Sequence, residues 1–452
     1  MGALPADFSS VFATDFRIAA KQNGLNSKKP NPVVVNGIPV SELCGSMHDN
    51  GTMHDNGTMA NGELKPYHKK IWYAPNQFEA YGELEIQAVE NCLRKGHLAG
   101  FGPATEQFED AIAKHFGKKW GVFVNSGSSA NLLALICAGV GSGDDVVTPA
   151  CSFATVIAPL LQLGARPVFC DVEHRRYVPS IDSIMSAITP NTKALFIPNL
   201  IGSKIQWKKL ADRMAETYPS IVLIEDSCDT MTHTPSSHLS TTSFYASHVI
   251  TAGGSGGMLM GNDPKLKEVA LTYRDWGRVG NNSEDFSERF GHSIDGIEYD
   301  FKFLYKVAGY NFKSSEMNAA FGLAQLSRLP QFEKIRRANI ERYLHRLHGS
   351  DFVLPDDTAK ESWLALPLMH NHRKELLQYL ETNGIQTRVC FAGNVTRHPA
   401  FRQFLQDFAE ADRIMRDGFL LGAHHGMTLE DVDRVCDVLL SFRPPSNSAY
   451  TA

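Results

Sequence analysis

The sequence predicts an α/β fold, a mostly parallel sheet covered by helices on both faces and followed by a smaller α+β block. Three observations carry this expectation. The chain has 452 residues, room for two or three domains with sizeable cores. From Ile71 onward, apolar runs of strand length alternate with helical stretches, the order that βα units produce. Near Pro330 the alternation gives way to a long helical stretch and then to a second block with strands of its own.

The elements follow in order. WGVFV from Trp120 reads as a strand, and SSANLLALICAGV from Ser128 as the helix behind it. DVVTP from Asp145 is the next strand and FATVIAPLLQLG from Phe153 the next helix. RPVFCDV from Arg166, KALFIP from Lys193 and SIVLIED from Ser220 continue the strand series. The spacing changes at SFYASHVITAGGSGGMLMG from Ser243, where short strands flank a glycine turn. A helical stretch from Ser315 is expected to be interrupted at Pro330 and to resume through EKIRRANIERYLHRL. Beyond it, residues 363–369 and 386–391 read as strands, and 374–382 and 429–442 as helices. The expected division is a tail over 1–66, a large domain over 67–330 and a small C-terminal domain over 331–445.

The tail repeats MHDNGT from Met47 to Thr52 and again from Met53 to Thr58. Polar Gly- and Asn-rich repetition buries too little surface to order itself, so a disordered tail is expected ahead of a His/Asp metal tract. Elsewhere the composition is that of an ordinary globular protein, 43% hydrophobic and 21% charged. Forty-four Lys and Arg against 49 Asp and Glu leave a net charge of −5, which argues against nucleic acid and anionic membranes as partners. No apolar run reaches the ~18 residues of a membrane helix, and the N-terminus has no signal-peptide pattern, so a cytoplasmic location is expected. The eight cysteines (Cys44, Cys92, Cys137, Cys151, Cys170, Cys228, Cys390 and Cys436) form no CxxC pair. They read as reduced thiols rather than metal ligands or disulfides, and no metal is expected.

Three segments carry chemistry. Asn125-Ser126-Gly127-Ser128-Ser129 joins a strand to a helix. Free N–H groups there could cradle a phosphate, or the turn could simply cap its helix. Asp226 ends an apolar strand, where a carboxylate can hold a pyridinium nitrogen protonated or merely cap a turn. His248 lies in SFYASHVIT, just before Gly253-Gly254-Ser255-Gly256-Gly257, and a lone histidine there is either structural or an acid–base group.

In this order and spacing, the three segments resemble the DegT-type branch of the vitamin B6-dependent enzymes, mostly nucleotide-sugar aminotransferases of fold type I. That family has an NSG[TS] phosphate turn, an EDA/EDC segment with the ring-nitrogen Asp, and an SFxxxK segment whose lysine holds the cofactor. Here the lysine position is His248, and no lysine occurs between Lys209 and Lys265. The chain is therefore similar to the family's lysine-lacking subgroup, the 4-keto-6-deoxyhexose 3-dehydratases of the ascarylose type. The resemblance also rests on Asp275-Trp276-Gly277-Arg278, Gly309-Tyr310-Asn311, GLAQL and Phe391-Ala392-Gly393-Asn394, and spans about Ile71 to Phe442.

The resemblance implies pyridoxamine 5'-phosphate or pyridoxal 5'-phosphate as cofactor and dehydration of a nucleotide-linked ketosugar at carbon 3. His248 would act as the general base. Ser128, Ser129 and Ser243 would hold the cofactor phosphate, Phe153 would stack on its ring, and Asp226 would pair with its ring nitrogen. Asn311 would reach the phosphate of a neighbouring subunit's cofactor, which implies a homodimer with shared sites. Tyr310 and Arg397 would lie on the substrate side. The ascarylose-type enzyme also carries cysteines after its DWGR motif for a 2Fe–2S cluster. Here Val279 to Asp285 contains none, so no cluster is expected, and an amino donor such as glutamate would restore the amine form. Two other readings stand beside this one: a different lysine-free B6 reaction, aminotransfer included, and a cofactor-binding homologue without turnover.

Overall fold

The structure, a computed structural model, describes residues 69–278, 285–356 and 363–444. It also shows a short antiparallel pairing of Val34–Val35 with Ile38–Pro39. The MHDNGT repeat and most of the segment after Arg278 lie outside the described residues. Residues 68–452 form one unit and 1–67 another.

The large sheet has seven strands: β1 (Trp120–Val124), β2 (Asp145–Pro149), β3 (Arg166–Cys170), β4 (Thr192–Pro198), β5 (Val222–Asp226), β6 (Leu239–Ser243) and β7 (Gly257–Gly261). Their spatial order is β1-β7-β6-β5-β4-β2-β3. Strands β2 to β6 are mutually parallel, and β7 runs antiparallel to both β6 and β1. Strands covered on both faces need continuous apolar sequence, and β1, β2 and β7 are buried along their whole length.

The helices that cover it include α1 (Glu83–Arg94), α2 (Pro103–His115), α3 (Gly127–Cys137), α4 (Ala154–Gln162), α5 (Ile181–Ser186), α6 (Trp207–Thr217) and α7 (Pro264–Arg274). Between β1 and β2, helix α3 is apolar nearly all round, because it packs on strands β6 and β7 with one side and on helices α4 and α7 with others. A small exposed hairpin follows, β8 (His292–Ile294) with β9 (Ile297–Tyr299).

Helix α8 (Glu316–Leu347) corrects one expectation: it runs unbroken through Pro330. Proline removes one main-chain hydrogen bond and crowds the preceding turn. Packing outweighs that cost here, since one end of α8 lies against α1 and α2. Its other end packs on the last helix, α11 (Leu429–Ser441).

The large sheet is drawn wholly from residues before Pro330, and a three-stranded antiparallel sheet wholly from residues after it. That sheet has β10 (Ala365–Met369), β11 (Thr387–Val389) and β12 (Gly418–Gly422), in the order β10-β12-β11. Helices α9 (Arg373–Thr382), α10 (Ala409–Asp417) and α11 flank it. Buried Arg336 of α8 donates to the carbonyl of Leu364 at 3.0 Å, tying the long helix to the lead-in of β10.

Candidate active site

Every parallel strand of the large sheet delivers its carboxyl end to one edge, the place where open α/β sheets bind ligands. A cavity of about 270 Å³ opens there. Its walls come from the turn after β1 (Gly127, Ser128), the start of α4 (Phe153), the end of β5 (Asp226, Cys228, Asp229), the end of β6 (Ser243, Tyr245, His248) and Phe391 after β11.

The turn after β1 is shaped by close approach. A side chain on Gly127 would lie 2.6 Å from the Ser243 Cβ and 2.8 Å from the Cys228 Sγ, so only glycine fits. Ser126 caps α3 by accepting from the Ser129 N–H at 3.1 Å, and the Ser129 hydroxyl donates to Asn125 Oδ1 at 2.7 Å. The N–H groups of Gly127 and Ser128 fall in the first turn, where a helix offers no internal acceptor, and Ser128 faces the cavity. The cradle thus fits an anionic group through Ser128 rather than Ser129, whose N–H is already engaged. The glycine loop is tied to this turn: Ser255 donates to the Asn125 carbonyl at 2.7 Å, and Gly253, Gly254 and Gly256 all take positive φ.

Asp226 is fixed on both oxygens. Oδ1 accepts the Cys228 N–H and Oδ2 accepts Asn131 Nδ2, each at 2.9 Å, while Asn131 is itself held by Thr241 at 2.6 Å. Burial raises the Asp226 carboxyl above its usual range, and the two donors oppose that rise. Asp226 lines the cavity, and a carboxylate so held suits a protonated ring nitrogen. Burial also pushes the neighbouring Cys228 thiol well up, which makes it unreactive.

His248 sits in the loop after β6, where buried Phe244 anchors the chain against Phe108 and Phe123. Its Nδ1 lies 3.2 Å from the Ser243 carbonyl, which accepts, so the proton resides on Nδ1 and Nε2 keeps its lone pair. Burial lowers its pKa to about 4, the Ser243 carbonyl opposing and the charge of Arg336 adding to the shift. At neutral pH it is an uncharged imidazole, the form that accepts a proton.

The structure therefore brings together Ser128, Phe153, Asp226, Ser243 and His248. Phe153 meets Phe391 edge to face at 6.0 Å on the cavity wall. Three expected residues lie elsewhere. Asn311 is exposed beside Asp275, and Tyr310 stacks on Phe312 at 4.5 Å. Arg397 is engaged by Asp412 at 2.8 Å and by Asp407 at 2.7 Å. Sequence reasoning gave Asp229, Tyr245 and Phe391 no site role, although Tyr245 and Phe391 lie within motifs it had singled out and Asp229 directly follows one. Among the described residues, no three His, Cys, Asp or Glu side chains converge as metal ligands, and no helix is long and apolar enough to cross a membrane.

Comparison with known proteins places this geometry. Residues 79–440 match the model of the DegT/DnrJ/EryC1/StrS aminotransferase family. The lipopolysaccharide biosynthesis protein RfbH of Salmonella typhimurium is 33% identical, over 82% of this chain and 92% of its own. The dTDP-4-dehydro-2,6-dideoxy-D-glucose 3-dehydratase of Saccharopolyspora spinosa is 34% identical, over 79% and 83%. A crystal structure of E. coli GDP-4-keto-6-deoxy-D-mannose-3-dehydratase with bound hydrated PLP superposes with a TM-score of 0.72 at 25% identity, covering 82% of this chain and all of that one.

Proposed function

Because the chain belongs to the DegT/DnrJ/EryC1/StrS aminotransferase family, we propose that it is a pyridoxamine or pyridoxal phosphate-dependent enzyme of sugar-nucleotide metabolism. Its reaction is dehydration of a nucleotide-linked 4-keto-6-deoxyhexose at carbon 3. One observation carries the reading: a neutral, half-buried histidine stands in the cavity, and none of the described residues lining it is a lysine. Related 3-dehydratases in two organisms support the same choice.

When bound, the cofactor supplies an amine nitrogen and an electron-withdrawing ring. Everything else comes from side chains of this protein. The Ser128 N–H and the Ser243 hydroxyl would hold the phosphate, and Asp226, fixed by Asn131 and Cys228, would keep the ring nitrogen protonated. Phe153 and Phe391 would flank the ring and keep water off it. Nε2 of His248 would take a proton on the cavity side and could return it to the departing hydroxyl. Glutamate or a similar donor would restore the amine form, without an iron–sulfur reductase. We also read the protein as a homodimer, a reading that exposed Asn311, outside the lining of its own cavity, supports.

Aminotransfer to carbon 4 is the second reading, favoured by the family's predominant chemistry. The two part in the mass of the product. Incubated with pyridoxal phosphate, glutamate and CDP-, GDP-, UDP- or dTDP-linked 4-keto-6-deoxyhexoses, the enzyme is expected to yield a sugar lacking the carbon-3 oxygen. A product that keeps that oxygen and gains an amine overturns dehydration in favour of transfer.

A further inference from the structure

Asp229 lines the same cavity as Asp226 and His248 but has no part in the roles above. Its Oδ2 accepts the Ile201 N–H at 2.7 Å. That donor comes from a strained turn, because buried Ile201 is a β-branched residue at φ 62°. Among the described residues, Oδ1 has no hydrogen-bond donor within the protein, and no cation is in ion-pair contact with the carboxyl.

The surrounding ionisable groups are Asp226 and Cys228 on its own loop, Tyr73 ahead of α1, Cys390 after β11 and His248 across the cavity. Arg336 of α8, whose charge reaches Tyr73 and His248, points its Nη1 at the carbonyls of Trp363 and Leu364. Two carboxyls that share a cavity without an ion-pair partner, Asp226 buried and Asp229 half-buried, cannot both ionise cheaply. Asp226 has two donors and Asp229 one, so the charge settles on Asp226 and the proton on Asp229.

We propose that Asp229 is a neutral carboxylic acid in the working enzyme, with Ile201 fixing one oxygen and the other donating its proton to an oxygen of the bound ligand. The chain would then carry two acids of opposite state three residues apart: an anion for a ring nitrogen and a donor for an oxygen. Burial, reinforced by Asp226, pushes the Asp229 carboxyl up to about 7, in keeping with that assignment. The proposal rests on reading the cavity as the ligand site, but its protonation can be tested without ligand.

The test is an infrared titration of the full chain free of cofactor, between about pH 5 and 9. A carbonyl band of a protonated carboxyl is expected to vanish with a midpoint near 7, as the Asp229 shift requires. Asp229→Asn should lack the band, and Asp226→Asn should move its midpoint down by removing the like charge. Absence of an Asp229-dependent band at pH 6, or a midpoint indifferent to Asp226→Asn, overturns the proposal. Pyridoxamine phosphate binding supplies the second arm. Asp229→Asn keeps a donor and should bind within about three-fold of wild type, whereas Asp229→Ala should weaken binding about ten-fold. Equal weakening by both variants contradicts the donor role. Neither arm depends on turnover, so failure of the dehydration assay would not be mistaken for failure here.

Discussion

Burial decides the protonation of individual histidines in this protein. His248 is held at about 4 and His424 at about 3, both chiefly by loss of solvent. His424 shows why: its Nε2 donates to the Trp72 carbonyl at 3.1 Å while Nδ1 accepts the Gly426 N–H at 3.2 Å, so only the neutral ring satisfies both. The folded pKa lies below the unfolded 6.5, so the unfolded chain takes up this proton first as pH falls. Stability from His424 is complete above 6.5 and drains away toward 3. Urea unfolding at pH 7.5 and 5.0 should show wild type losing about 2 kcal/mol more than His424→Gln. Equal losses would remove His424 from the linkage. At this scale the sequence was informative at and just after strand ends: Asp226 closes β5 and His248 lies in the loop after β6, both on the cavity wall. The ion pairs of Arg397 were not legible, because Asp407 and Asp412 meet it only through the fold of a loop.

Elements explain why the anion cradle has its shape. Helix α3 begins on a serine cap, and β7 presses its first glycine against that turn, so that a side chain on Gly257 would come within 2.3 Å of the Ser126 backbone. Ser126→Ala removes the cap and should cost about 1 kcal/mol in thermal or urea unfolding, with weaker pyridoxamine phosphate binding beside it. No loss in either measurement would mean the cap does not hold the turn. Strand–helix alternation made β1 to β5 readable, since each is a short, largely apolar run bounded by turn residues. Strand β12 was missed although it is the centre of the small sheet, for GFLLG offers only three apolar residues between two glycines. The break expected at Pro330 fails for the opposite reason: local propensity lost to the packing of a 32-residue helix against three others.

At the scale of the whole molecule, the parallel strands β2 to β6 determine where chemistry can occur. Their carboxyl ends converge on one edge, which is how residues as distant in sequence as Ser128 and His248 come to share a cavity. Phe391 closes it from a loop after β11, so the C-terminal block completes a site founded on the large sheet. That convergence could be anticipated from the βα order. The place of Phe391 in the wall could not, because its motif alone does not show that the fold brings it to Phe153. Asn311 poses the same problem one level higher, since its expected task belongs to an assembly of two chains. The claim on which the account turns is that His248 performs the proton transfer a lysine performs elsewhere in the family. Single-turnover dehydration by pyridoxamine phosphate-loaded wild type and His248→Asn, followed by product mass, tests it most directly. The variant is expected to be slower by roughly 100-fold or more, with cofactor affinity within about three-fold. A variant that dehydrates as fast as wild type would contradict it.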